Sequence, residues 1–189
     1  MKRIFLDHAS TTKVDPQALE AMLPYFTTYY GNPSSIHSFG RDAREAVDNA
    51  RTLVGDVLGA RDDEIIFTAG GTESDNLAIK GIAYMNKDKR TTKGPHIITS
   101  TIEHPGVLEV CRHLETQGFQ VKYLPVDKDG LVNVEELQNS ISKNTFLLTI
   151  MFANNEIGTI EPIQEIGKIA HDHDIIFNTD AVVAVAKVP

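Results

Sequence analysis

From Glu64 onward the chain alternates short apolar runs with helical stripes, and this alternation narrows the fold more than any other feature. Strands are expected near Glu64–Thr68, His96–Ser100, Phe119–Leu124, Thr145–Phe152 and Asp174–Asn178. Between most of them, helices are expected over about Thr72–Met85, Pro105–Gln117, Val134–Ile141 and Pro162–Ala170. A helix between two strands returns the chain to the same end of the sheet, so the strands it joins run parallel. The expectation is an α/β fold, a mostly parallel sheet with flanking helices. Residues 1–60 read differently, as an N-terminal helical segment. There Asp15 and Pro16 form an N-cap and first-turn pair for a helix to about Phe26, and Tyr30 to Ser35 carries turn chemistry. Ala43, Ala46, Val47, Ala50, Leu53, Val54 and Val57 then recur at threes and fours, the stripe of a long amphipathic helix from about Ser38 to Leu58.

A chain of 189 residues at 41% apolar can bury one sizeable core, and one domain is expected. Its net charge of −8 is spread along the chain, so no basic face invites nucleic acid or an anionic membrane. No apolar stretch approaches the ~20 residues of a membrane span. The basic start at Lys2 and Arg3 is followed by three apolar residues before Asp7 and His8, too short a run for a signal peptide. Cys111 is the only cysteine, which excludes an internal disulfide and a cysteine-based metal cluster and fits a reducing, cytoplasmic setting. It shares a helical stripe with Val107, Val110 and Leu114, as a buried structural thiol does. His171-Asp172-His173-Asp174 resembles a metal cluster by composition, but it follows a helix end where histidines are favoured, and no metal is expected. The polar run Asn86–Lys93 reads as a solvated loop, and Asp127-Lys128-Asp129-Gly130 as a turn.

The stretch Phe67 to Asn76 reads as a strand stopping, a turn and a helix starting. Gly70 and Gly71 permit a tight turn, and Thr72-x-x-Asp75 has capping-box spacing. Such a corner is either an ordinary tight turn or a phosphate cradle made of free N–H groups and the positive end of a helix. Ligands of open parallel sheets bind beyond the carboxyl ends of the strands. The polar residues there are Gly70-Gly71-Thr72, Glu103-His104, Asn154-Asn155-Glu156 and Asp180. A phosphate corner, an imidazole, an amide and a carboxylate together suit a flat, phosphorylated heteroaromatic cofactor. Glu73, Asp75 and Glu103 could form an acid–base set, although Glu73 and Asp75 lie in a first helical turn where carboxylates are favoured by the dipole alone.

Spaced motifs then line up in order: Leu6 to Thr12, Gly31 to His37, Phe67 to Gly81, Thr101 to His104, Asn154 to Gly158, and Thr179-Asp180-Ala181. In these the chain resembles, from end to end, the cysteine desulfurases of class V aminotransferase type. The forms Thr-Glu-Ser-Asp-Asn and Asn-Asn-Glu-Ile-Gly are similar to the branch that supplies sulfur for nitrogenase and iron–sulfur cluster assembly. The resemblance implies the aspartate-aminotransferase-like large domain of a pyridoxal 5′-phosphate enzyme, incomplete in these 189 residues. It implies L-cysteine as substrate, a sulfurtransferase reaction yielding alanine and an enzyme persulfide, a homodimer, and a sulfur acceptor or scaffold protein as partner. Gly71 and Thr72 would hold the phosphate, and His104 would stack on the pyridine ring and relay protons as the catalytic residue. Asn155 would hydrogen-bond the phenolic oxygen, and Asp180 would pair with the pyridine nitrogen. His8 and His37 sit in family-like loops, as neighbours of the site or of a dimer contact.

Departures from the family pattern bear on activity. The family's Schiff-base lysine sits in a Ser-x-His-Lys stretch, and no His-Lys pair occurs in this sequence. The persulfide cysteine also falls in a later part of the family pattern, and neither Cys111 nor Lys187 is a substitute. Where the family has histidine, glutamine and glycine, the chain has Asn178, Val183 and Ala186. Val183, at a cofactor-binding position, is a hydrocarbon and cannot make the hydrogen bond of the glutamine, a loss that typically costs about 1–3 kcal/mol. The expectation is an N-terminal part of a cysteine desulfurase, inactive alone. The alternative is a non-catalytic degenerate homologue, or one half of a split enzyme needing a separate C-terminal chain.

Overall fold

The computed structural model describes residues 3–87 and 94–188. The chain forms two compact units, Met1–Phe67 and Thr68–Pro189.

In the first unit, α1 (Pro16–Met22) is capped by Asp15, whose carboxylate accepts from Gln17 N. The single helix expected to about Phe26 is broken: α1 stops and α2 (Pro24–Thr27) begins at a proline that lacks an N–H and crowds the preceding turn. The long helix α3 (Ser38–Leu58) has the expected bounds. His37 caps its start by accepting from Gly40 N, and Gly59 ends it in the left-handed conformation at φ +66°. Asp62–Glu64 is a short 3-10 turn. The strand expected at Glu64–Thr68 is absent. Ile66 and Phe67 are exposed, and Ile65 offers its carbonyl to the Arg51 guanidinium instead of to a ladder. An apolar triplet becomes a strand only when a neighbour pairs with it, and none is present among the described residues.

The second unit holds α4 (Gly71–Asn86), β1 (His96–Ser100), α5 (Pro105–Thr116), β2 (Gln120–Leu124), α6 (Val134–Ser140), β3 (Thr145–Thr149), α7 (Ile163–Asp172) and β4 (Ile176–Asn178). The four strands are all parallel, in the order β2-β1-β3-β4. Ile97 pairs with Leu147 on one face, where Ile79 and Ala83 of α4 and Val107 and Leu114 of α5 pack. Ile98 pairs with Leu148 on the other, against Leu137 of α6 and Ile166 of α7. Alternation of period two thus feeds two cores from one strand, and the result is three layers, α/β/α. Cys111 is fully buried in the first core, and burial pushes its thiol up to about 12. Of the polar run Asn86–Lys93, residues 88–93 lie outside the described part. Asn86 is not a loop residue but the buried last residue of α4, donating to Ile82 O at 2.8 Å. Asp127 does form the expected turn, accepting from Asp129 N and Leu131 N, with Gly130 at φ +82°.

Candidate functional site

The order β2-β1-β3-β4 makes the boundary between β1 and β3 a topological switch. The chain leaves β1 for α5 on one face and β3 for α7 on the other, so the loops after these strands diverge and open a crevice at their carboxyl ends. His104 follows β1, Asn155 follows β3, and Asp180 follows the adjacent β4.

The glycine corner opens α4, but not as the sequence suggested. Gly70 is the N-cap, with no side-chain cap, and Thr72 lies inside the helix, so Thr72 and Asp75 form no capping box. Glu73 reaches back instead and accepts from Ala69 N at 2.6 Å. The first backbone bond of the helix is Ser74 N to Gly70 O, which leaves the N–H groups of Gly71, Thr72 and Glu73 without a helical partner. A Cβ added to Gly71 would meet Val182 Cγ2 at 2.8 Å, so the turn after β4 runs directly against this corner.

His104 is the N-cap of α5, and its Nδ1 accepts from Gly106 N at 3.0 Å, which fixes the ring and leaves Nε2 to carry the proton of the neutral form. A Cβ on Gly106 would lie 3.1 Å from His104 Nδ1, 3.3 Å from Asp75 Oδ2 and 3.4 Å from Thr72 Oγ1. A side chain at this position would press all three polar atoms outward by a few tenths of an ångström. An open cleft of about 460 Å³ between α4 and α5 is lined by Thr72, His104, Asn76, Lys80, Glu109 and His113.

Asp75 departs from the expected first-turn carboxylate, since α4 starts at Gly71 and Glu73 is the acidic residue of its first turn. It is buried, and its carboxyl is pushed up to about 6, by burial first and by the charge of Asp180 second, against the pull of His104. The signal was in the sequence: Asp75, Ile79 and Ala83 recur every fourth residue on the buried face of α4. Glu103 is also buried, and burial pushes it up to about 7 despite hydrogen bonds from Ser100 Oγ at 2.6 Å and Met151 N at 3.0 Å. Its Oε2 has no partner.

Asp180 is half-buried. Its Oδ1 accepts from Val182 N at 3.0 Å, and its carbonyl accepts from Phe152 N at 2.8 Å, tying the ends of β3 and β4. Asn155 is half-buried and spends one N–H on Glu156 Oε1. Its neighbour Asn154 is the buried one, donating to Ile102 O and accepting from Glu156 N and Ile157 N. Val183 is half-buried and offers nothing polar. Asn178, at the family's histidine position, donates to Thr149 Oγ1 at 2.9 Å. Ala186, at the family's glycine position, has φ +60°, a conformation that favours glycine. The structure therefore brings Gly71, Thr72, His104 and Asp180 into one neighbourhood with Asp75, and ties Asn155's loop to it through Asn154. His37 is spent as a helix cap, and the exposed His8 stands edge-on to the ring of Phe5. Among the described residues, no three His, Cys, Asp or Glu side chains gather as a metal would require. No helix among them is long and apolar enough to cross a membrane.

Three findings from known proteins bear on this geometry. The family description "Aminotransferase class-V" matches residues 4–189. The chain is 56% identical, over its whole length, to the cysteine desulfurase IscS of Methanosarcina thermophila and covers 46% of it. It is 53% identical to the IscS of Dictyoglomus turgidum, with 47% of that protein covered. Among solved structures it resembles a NifS-like protein with a TM-score of 0.89 at 39% identity, covering 94% of this chain and 48% of that one. It also resembles SspA in complex with cysteine, with a TM-score of 0.85 at 43% identity, covering 90% and 48%. The chain spans about half the length of the curated relatives it matches. With a parallel sheet whose switch point carries this constellation and a family match from residue 4 to residue 189, the chain belongs to the class-V aminotransferases.

Proposed function

We propose that this chain is the N-terminal part of a cysteine desulfurase large domain and forms most of its pyridoxal 5′-phosphate pocket. The observation that carries the proposal is the meeting of His104, Asp180 and the free N-terminus of α4 at the β1/β3 switch point. The residues fit the group. Gly71 and Thr72 offer unpartnered N–H donors to a phosphate, at the positive end of a sixteen-residue helix. The carboxylate of Asp180 has Oδ2 free to hold a proton on a pyridine nitrogen. Asn155 keeps a second amide N–H for the phenolic oxygen, and the His104 ring is fixed by Gly106 N–H so that it can lie on the cofactor's face and carry a proton at Nε2. Val183 contributes no hydrogen bond, so the oxygen has one donor fewer than in the family pattern. Bound there, pyridoxal phosphate supplies the electron sink that a carbanion next to an amino acid's α-carbon needs.

The substrate would be L-cysteine, which one structural relative is described as binding. The sulfur would go to iron–sulfur cluster assembly, in a cytoplasmic homodimer. With no His-Lys pair, the chain would bind the cofactor without catalysing release of alanine. Relatives at 53–56% identity that are named as cysteine desulfurases give no support to the degenerate-homologue alternative. The test is calorimetric titration of the purified chain with 4′-deoxypyridoxine 5′-phosphate, which has no aldehyde to react with surface lysines. Saturable binding that Asp180→Ala weakens about tenfold or more is expected. Absence of binding, or release of alanine and sulfide from cysteine at enzyme-like rates with added pyridoxal phosphate, overturns the reading.

A further inference from the structure

The β1–β3 ladder ends at Thr99 and Thr149, yet the loops that continue from it diverge. Two buried side chains bridge the gap beyond the last pair. Glu103 Oε1 accepts from Ser100 Oγ at the end of β1 and from Met151 N on the loop after β3. Asn154 Nδ2 crosses in the opposite direction to Ile102 O at 2.9 Å, while its Oδ1 caps Glu156 N and Ile157 N. Each bridging residue stands immediately before a candidate cofactor contact: Glu103 before His104, and Asn154 before Asn155. A one-residue step of backbone leaves little room for the neighbour to move independently. Glu103 is moreover an expensive way to tie two loops, since its second oxygen is buried without a partner.

We propose that Glu103 and Asn154 are positioning residues, a reciprocal pair of cross-loop hydrogen bonds that sets the spacing between His104 and Asn155. The inference rests on the pyridoxal-phosphate reading of the site and deepens it. Neither residue touches the cofactor; each acts through the neighbour it holds, on the opposite side of the switch point from its bonding partner.

The variants separate bridging from mere folding. Glu103→Gln keeps an Oε1 acceptor for both bonds, whereas Glu103→Ala keeps neither. Asn154→Asp keeps the cap on Glu156 and Ile157 but cannot donate to Ile102 O. In titrations of the full chain with 4′-deoxypyridoxine 5′-phosphate, Glu103→Gln is expected to bind within about threefold of wild type, and Glu103→Ala and Asn154→Asp about tenfold or more weakly. Retained far-UV ellipticity shows that each variant is folded. If Glu103→Ala does not fold, Asn154→Asp carries the comparison. A second readout needs no ligand: in the 15N-resolved NMR spectrum, Glu103→Ala and Asn154→Asp should each move both the Gly106 amide, which reports on the His104 ring, and the Asn155 side-chain amide. Wild-type affinity in folded Asn154→Asp, or a spectrum in which only the mutated loop responds, overturns the proposal. Lack of ligand binding by the wild-type chain with both loops responding in the spectrum would sink the cofactor reading and leave the positioning pair standing.

Discussion

Replacing Glu103 by glutamine should make unit 2 lose less stability as the pH rises. In the folded chain burial holds the Glu103 carboxyl at about 7, against an ordinary 4.5, so the native state keeps a proton that the unfolded chain has already lost. For a carboxylate raised in this way, stability is fully present below about 4.5 and falls as the pH climbs to about 7. The gap between 4.5 and about 7, at ~1.4 kcal/mol per pH unit, amounts to about 3 kcal/mol. Glutamine keeps the acceptor for Ser100 Oγ and Met151 N but places an amide NH2 where the unpartnered Oε2 lies. That orphaned donor takes the place of the equally unpartnered O–H that the protonated carboxyl carries at Oε2, since Oε1 already accepts two bonds. The two proteins are therefore close in stability near pH 5, and Glu103→Gln is the more stable above pH 7. Asp75 and Glu161, also raised by burial, titrate in both proteins and largely subtract. Urea denaturation followed by far-UV ellipticity at pH 5, 6, 7 and 8 measures the difference. Wild type should lose about 2.5 kcal/mol relative to Glu103→Gln across that range, part of the effect being already lost at pH 5. Parallel stability curves would refute the assignment of a buried, proton-holding carboxyl to this position.

Other substitutions probe the same unit. Ala186→Gly should stabilise the chain by about 0.5–1 kcal/mol, read as a higher melting temperature, because an L-residue at φ +60° costs ~1–2 kcal/mol and glycine gives back part of that gain as unfolded-state entropy. No rise would show that the turn relaxes around alanine. Gly71→Ala places its Cβ 2.8 Å from Val182, an exposed side chain that can turn aside, so the melting temperature should hold. Because Val182 N is bonded to Asp180 Oδ1, affinity for 4′-deoxypyridoxine 5′-phosphate should nonetheless fall about tenfold, and unchanged affinity refutes that coupling. Cys111, with its thiol pushed up to about 12, should react with a disulfide reagent at pH 8 roughly 1000-fold more slowly in the native chain than in urea. Labelling of the native chain at the rate of a free thiol would place Cys111 outside the core.

Local signals carried much of this structure, and they failed where a partner far along the chain decides the outcome. Helix α3 was legible to its last residue because its apolar stripe lies within one segment, although its cap, His37, was read as a loop residue near the site. The Glu64–Thr68 run satisfied every local criterion for a strand and still found no ladder, since pairing is made by residues that sequence spacing does not name. At the site, the polar residues that follow β1, β3 and β4 lie at one edge because a parallel sheet sends all of its carboxyl ends one way, whereas the Gly70-Gly71-Thr72 corner follows no strand. Asp75 was misjudged for a different reason. Two rules met at one position, carboxylates at helix starts and every fourth residue facing the core, and the second prevailed through burial beside His104. Glu103 and Asn154 were visible as polar strand-end residues, but their bonds cross between loops 48 and 52 residues apart in sequence, which no local pattern encodes.

The strand order has a kinetic consequence for a chain made from its N-terminus. β1 emerges first and gains β2 through α5 after a short excursion, so one of its edges closes early. Its other edge waits for β3, whose pairing begins with His96 against Thr145 and spans 49 residues of chain. Until then Ile97 and Ile98 stand at an open row of backbone donors and acceptors, a template for any passing strand. Placing β1 inside the sheet thus makes the arrival of β3 the step that closes its second edge. Mutations that slow it, more than any that weaken the outer strands, should lower the yield of folded chain.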